Sequence, residues 1–251
     1  MSSARSWSEL SGADEALAAL HAYELGQECE AQLLAYCLAL QKYDEHTNLV
    51  ANSDLTVLLK EHVLDSLTLL EWIEKSNKVQ GASLIDIGSG AGFPGMVLAI
   101  TAPHLKVTLV DSIGKKCRFL ESAVDELGLS KRVQVKCDRA EALAHVKKFR
   151  EHFDFATARA VGALPLVCEL CIPMLKSGGR LLAQRSKRQA QEENQLADAY
   201  ASRLGGELDE TRHFEPDLLG REFALLVFRK KKTTPACYPR SAALMKKDPR
   251  A

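Results

Sequence analysis

The residues best suited to chemistry lie in Asp86-Ile87-Gly88-Ser89-Gly90-Ala91-Gly92-Phe93-Pro94-Gly95. This stretch joins a short apolar run to a helical pattern. Glycines at such a turn permit a sharp bend and let a ligand approach the backbone closely. Two frames can be read. Gly90-x-Gly92-x-x-Gly95 satisfies the dinucleotide fingerprint literally, and Gly88-x-Gly90-x-Gly92 after an acid fits the loop that methyltransferases use for S-adenosylmethionine. Asp111 closes the next apolar run. An acid there can accept the protons of both ribose hydroxyls, which serves either nucleoside, or it can cap the following helix. Asp138, Ala140 and Glu141 follow the third run, where an acid or a backbone N–H can reach an adenine edge. Glu141 also suits the first turn of a helix. Arg159 ends a run of apolar and small residues. A guanidinium is costly to bury unpaired, so it must face the cleft or meet an acid.

These groups must be held by a framework, and the framework is legible. Residues 83–88, 106–111, 133–138, 153–160 and 179–185 read as strands, the first a continuous apolar run of the buried parallel kind. Between them lie helical patterns at 93–101, 115–127 and 164–175, with a polar helix at 187–204. The segments GELDETRHF and EFALLVFRK then form an antiparallel pair around a loop at 215–220. Alternating strands and helices imply a doubly wound, mostly parallel α/β sheet, with its ligands at the carboxyl ends of the strands. Upstream, residues 14–42 and 54–75 carry apolar positions at helical spacing. Three regions follow: an N-terminal helical cap (1–78), a Rossmann-like domain (79–232) and a basic irregular tail (233–251). His62 and Asp65, three apart on a helix, can share a face.

Charge narrows the partners. Lys and Arg number 33, as do Asp and Glu, so no uniform basic coat exists. Residues 229–251 nevertheless carry seven net positive charges, leaving an acidic body and pointing to a polyanion for the tail. Arg185, Lys187 and Arg188 could hold phosphates beside the cleft, and Tyr238 could stack on a base. No apolar run spans a membrane and the N-terminus lacks a signal-peptide core, so a cytoplasmic protein is expected. The seven cysteines are scattered. Cys168-x-x-Cys171 has no second pair to complete a zinc site, and its surroundings read as a buried helix, so no metal is expected. No Ser/His/Asp series and no phosphate-binding Walker loop is present.

The runs IDIGSGAGFPG, TLVDSIGKKCRFL, RAEAL and ATARAVGAL, with NLVANSDLTVLLKEHVLDSL upstream and YPR…KKDP in the tail, resemble the ribosomal RNA small subunit methyltransferase G (glucose-inhibited division protein B) family. The resemblance covers about Tyr36 to Arg250. It implies a seven-stranded class I methyltransferase fold with an N-terminal helical cap and S-adenosyl-L-methionine as cofactor. The implied product is 7-methylguanosine in small-subunit (16S) ribosomal RNA, made on free RNA or a ribosomal particle by a cytoplasmic monomer. Matching motif positions place cofactor contacts at Gly88, Phe93, Asp111, Ala140, Glu141 and Arg159, and Gly90 belongs to the same loop. Arg159 and Arg185 are candidates for positioning the substrate. The family usually has Trp-Asn before Asn-Leu-Thr and Lys-Gly after its fifth strand. Here Tyr43-Asp44, Asn48-Leu49-Val50 and Arg185-Ser186 stand instead. Rival readings are a class I methyltransferase for another RNA, a protein or a small molecule, an NAD(P)-dependent oxidoreductase, and a non-enzymatic RNA- or nucleotide-binding module.

Overall fold

Residue-by-residue alternation along the strands builds two cores, one on each face of a single sheet. In β1 (Ser83–Ile87), Leu84 enters one cluster, while Ile85 and Ile87 enter the other. In β7 (Phe223–Lys230), Leu225 and Val227 face the first, and Ala224, Leu226 and Phe228 the second. Neighbouring side chains on a strand point to opposite faces, so both faces must be covered. A computed structural model describes residues 6, 7, 10, 12–74, 81–214 and 222–247. With β2 (Lys106–Asp111), β3 (Val133–Cys137), β4 (Phe153–Ala158), β5 (Leu175–Ser186) and β6 (Gly206–Phe214), the sheet runs β3-β2-β1-β4-β5-β7-β6. Only β7 is antiparallel to its neighbours.

The first core is shared between the sheet and the N-terminal helices. α1 (Asp14–His21) and α2 (Gln27–Asp44) pack with α6 (Gly95–Thr101) and α7 (Gly114–Glu126) against it. Leu33 and Leu40 of α2 are wholly buried, each contributing about 1.5–3 kcal/mol by leaving water. The second core lies under α8 (Ala140–Leu143), α9 (Leu164–Cys171) and α10 (Lys187–Arg203). Cys168 and Cys171 are free, buried thiols packed there. The boundary expected at 78/79 and the loop at 215–220 lie outside the described residues.

Several elements differ from the sequence reading. The helix expected at 14–42 is broken at 22–26, where Gly26 has φ +81°. The segment 54–75 is not one helix. It comprises α3 (Leu55–Val57, capped by the Asp54 carboxylate), a wide π-helical turn (Leu58–Val63), α4 (Leu64–Leu67) and α5 (Leu70–Glu74). α6 starts at Gly95 rather than Phe93, because the preceding residues form the tight glycine turn. α9 stops at Cys171 and narrows into a 3₁₀ turn at Ile172–Met174, where Pro173 lacks the donor a longer helix needs. β5 begins at Leu175 and absorbs Ser177-Gly178-Gly179 as an irregularity, with the register jumping from Phe153↔Leu175 to Phe155↔Arg180. Gly179 is required there, since a Cβ would stand 2.9 Å from the Phe153 carbonyl oxygen.

The tail, expected to be irregular, contains α11 (Ala242–Lys247) and is docked by polar anchors. The Arg240 guanidinium donates to the buried Glu169 carboxylate (Nη2–Oε2, 2.8 Å) and to the Tyr200 hydroxyl (2.7 Å). Burial alone would raise the Glu169 carboxyl, but Arg240 and Tyr200 outweigh it and hold the group below its ordinary range. Arg150 donates to the Thr234 carbonyl at 2.8 Å, and Met245 fills the second core. Scattered anchors of this kind leave no periodic signal. Among the described residues no helix is long and apolar enough to cross a membrane.

Candidate functional site

The glycine loop leaves the carboxyl end of β1 and is tied to both neighbouring strands. Asp86 is wholly buried. Its carboxylate accepts the Thr157 hydroxyl of β4 (2.9 Å) and the Gly95 N–H (3.2 Å). Ser89 donates its hydroxyl to the Asp86 carbonyl (3.0 Å), and its oxygen accepts the Val110 N–H of β2 (3.1 Å). Gly88, Gly90 and Gly92 all have positive φ, at +69°, +59° and +93°. Their surroundings differ. A Cβ on Gly88 would stand 2.6 Å from Val161 Cγ2, and one on Gly92 would collide with the Tyr36 hydroxyl. A Cβ on Gly90 would meet nothing nearer than 3.8 Å, so this glycine faces open space that a ligand can occupy.

Tyr36 was not singled out by sequence reasoning. Its hydroxyl donates to the Ala91 carbonyl from below the loop, and its ring sits edge-on to Phe93 at 5.6 Å. Burial holds its phenol well above the ordinary range. A lone tyrosine in a Leu- and Ala-rich helix, 55 residues upstream, gave no local signal. Asp86 and Ser89, part of the loop but not named as candidates, also prove to be its anchors.

Asp111 splints the nucleoside end. Its Oδ2 accepts the Gly90 N–H and its Oδ1 the Ile113 N–H, both at 2.9 Å. It does not cap α7 itself; Ile113 occupies that position. Each carboxylate oxygen keeps a further lone pair for a ribose hydroxyl. The Asp111 carbonyl accepts the Asp138 N–H (3.0 Å), which fastens the exit of β3 beside that of β2. Ala140 then opens α8, with Glu141 half-buried in its first turn. Gly88, Gly90, Asp111, Ala140 and Glu141 therefore line the carboxyl edge of adjacent strands. This arrangement of an open glycine and a pre-set carboxylate fits a nucleoside cofactor.

Arg159, just beyond β4, reaches the N-terminal helices. Nη1 donates to Asp65 Oδ2 (2.8 Å) and the Glu61 carbonyl (3.3 Å), and Nη2 meets His62 Nδ1 at 2.8 Å. Its guanidinium lies 5.4 Å from the centroid of Phe93, whose ring stacks on His62 at 4.8 Å. The wide turn at Leu58–Val63 brings the Glu61 carbonyl and His62 to this cluster, in keeping with the placing of such turns at functional sites. His62 and Asp65 thus share a face, as their spacing suggested. Phe93 is buried under the loop rather than displayed beside it. Arg159 also lines a cavity of about 440 Å³ with Asp65, Gly162, Gln184, Arg185 and Phe223. Arg185 is only 6% exposed, and its nearest acid, Glu193, stands 3.7 Å from Nε.

Asp86 supplies a pH prediction. Burial pushes its carboxyl up to about 6, against the pull of the Thr157, Ser89 and Gly95 hydrogen bonds and of Arg159. An acid raised on folding binds its proton more tightly in the native state, so its stabilising contribution is fully present below the unfolded value near 3.8 and is lost as pH rises to about 6. In urea titrations the stability of the wild type relative to Asp86→Asn should fall with pH across that window, by at most about 1.4 kcal/mol per pH unit. A flat difference would show that the carboxyl titrates normally.

A seven-stranded sheet with β7 reversed, a glycine loop after β1 and an acid closing β2 define the class I methyltransferase fold. Two solved structures share the fold alone. One is the cyclase SpnF (TM-score 0.50, 19% identity, 67% of this chain and 81% of that one). The other is a protein described as a transferase from Pyrococcus horikoshii (TM-score 0.53, 12% identity, 67% and 64%). Residues 29–215 match the family described as rRNA small subunit methyltransferase G, and the chain belongs to that family. Relatives named ribosomal RNA small subunit methyltransferase G agree along most of the chain. The Caldicellulosiruptor bescii protein is 38% identical over 217 residues, covering 86% of this chain and 90% of its own. That of Pediococcus pentosaceus is 40% identical over 229 residues, covering 90% and 93%.

Proposed function

We propose that this protein transfers the methyl group of S-adenosyl-L-methionine to N7 of a guanosine in small-subunit (16S) ribosomal RNA. The observation that carries the reading is the Asp111 splint, a buried carboxylate already fastened to the Gly90 amide beside the open side of that glycine. In this reading Asp111 grips the ribose, the loop at Gly88 and Gly90 passes the nucleoside, and Ala140 and Glu141 flank the base. Phe93 and Arg159 close the inner end. When bound, the cofactor supplies an electrophilic methyl on a sulfonium.

The guanine N7 carries a lone pair and no proton, so the protein need not supply a general base. Its task is alignment, and proximity and orientation provide much of the rate. Arg159, neutralised by Asp65, holds the wall between the loop and the 440 Å³ cavity without an uncompensated cation beside the purine. A guanosine in a single-stranded loop can be splayed out and read on its edges. The basic tail, docked through Arg240, presents Lys246 and Lys247 as phosphate contacts. A cytoplasmic monomer acting on ribosomal RNA or a ribosomal particle is part of the same reading.

The deciding experiment is tritiated methyl transfer to deproteinised small-subunit RNA and to assembled particles, with the labelled nucleoside identified. 7-Methylguanosine is expected. Label in another nucleoside, a protein or a small molecule would replace this reading with another class I methyltransferase activity. For the tail, deletion would leave the buried Glu169 without Arg240 and confuse folding with binding. Reversing the charges at Lys246 and Lys247 to Glu should instead weaken RNA binding about 10-fold at low salt and leave cofactor affinity unchanged. Unchanged RNA affinity would mark the tail as a solvated surface.

A further inference from the structure

Among the buried cations, Arg185 has unmet demand next to a cavity. It lies at the end of β5 and lines the 440 Å³ space with Arg159, Gly162, Gln184 and Phe223. Nε and Nη2 are both buried and have no hydrogen-bond partner. Glu193 Oε2 is 3.7 Å from Nε, beyond hydrogen-bond reach, and already accepts the Leu164 N–H at 2.8 Å. Gln184 alongside is committed to Asp65, through the carbonyl (2.7 Å) and Oδ1 (3.2 Å). Buried donors left unpaired cost free energy, and at a cavity wall they mark what the cavity receives.

We infer that this cavity is the acceptor-base pocket, and that Arg185 recognises guanine there by donating Nε–H and Nη2–H to its O6 carbonyl. The inference rests on the proposed reaction and deepens it. Guanine offers Arg two acceptors on one edge, N7 and O6. N7 must keep its lone pair for the methyl, so the donors go to O6, whose two lone pairs can take both. Adenine presents an amino donor at that place and would leave both N–H groups unpaired. A phosphate is the weaker fit, because a charged group would have to be stripped of water to reach a side chain this deeply buried, whereas a neutral base need not be. Lys187 and Arg188 stand nearby for the phosphates at the exposed start of α10. A cation at O6 draws electron density from N7, so the contact favours recognition rather than speed. Arg185 is a positioning residue for the reaction, and its loss should be read in affinity.

The test compares a target-loop RNA carrying guanosine with one carrying 2-aminopurine, which keeps N7 and lacks O6. Binding to each is measured by calorimetry for the wild type, Arg185→Met and Arg185→Lys. The wild type should prefer guanosine by about 10- to 100-fold, the value of one good base contact. Arg185→Met should lose that preference, weakening guanosine RNA by the same factor and changing 2-aminopurine RNA less than about 3-fold. Arg185→Lys should keep part of it. Arg185→Met removes a buried cation while Glu193 retains the Leu164 amide, so it should fold, and an unchanged thermal midpoint checks this. Equal losses on both RNAs would assign Arg185 to the RNA backbone or to structure and overturn the inference, as would a wild type that does not discriminate. Discrimination without methyl transfer would instead sink the proposed reaction. With transfer intact, Arg185→Met should raise KM for guanosine RNA and leave kcat within about 3-fold, because only binding is affected.

Discussion

Gly88→Asp should abolish cofactor binding while the chain remains folded. Gly88 has φ +69°, a conformation that costs an L-residue about 1–2 kcal/mol. Its new Cβ would stand 2.6 Å from Val161 Cγ2, so the loop or the residues after β4 must shift. The added carboxylate would also enter a turn that already holds Asp86 and Asp111. The two cores contain neither Gly88 nor its neighbour Ser89, so the damage should stay local. Calorimetry should show the S-adenosylmethionine Kd raised at least about 100-fold, equivalent to about 2.7 kcal/mol. Gly88→Ala, with the steric change and no charge, should fall between. An unchanged affinity in the aspartate variant would remove the loop from the cofactor site.

The second large effect is expected at Arg159. Arg159→Met deprives a buried carboxylate, Asp65, of its cation, and breaking such a pair typically costs about 3–5 kcal/mol. Arg159 is itself 19% exposed and Gln184 still donates to Asp65, so a loss of about 2–4 kcal/mol in urea unfolding is expected. Adding Asp65→Asn removes the stranded charge and should restore about half of it. Stability and activity then separate. If Arg159 also positions cofactor or acceptor, the double variant regains stability while methyl transfer stays at least about 100-fold down, as expected for lost alignment. A double variant with restored stability and full transfer would confine Arg159 to bracing the fold.

Local patterns already encoded much of the scaffold. The five parallel strands and the antiparallel pair follow from apolar runs bounded by turn residues, and the helix at Lys187–Arg203 from its Ser186 cap and period. The strand–glycine–helix turn and the acid after the next strand put the nucleoside end at the carboxyl edge of the sheet. The errors were at joints. Three short helices and a π turn were merged into one helix, because apolar spacing near 3.6 tolerates a widened turn. The start of β5 was read as helix because Leu175 continues an apolar run that only its pairing with Phe153 makes a strand.

The sequence by itself determined the class of site, since a glycine turn and a terminal acid are short-range features whose meaning depends on a few adjacent residues. Only the tertiary structure decided which distant groups complete it. Tyr36 braces the loop from 55 residues away, Arg159 meets Asp65 across 94, and Arg240 anchors the tail on Glu169 across 71. Such pairs are selected by burial, where an unpartnered polar group is costly, and burial depends on how the elements pack rather than on any repeat along the chain.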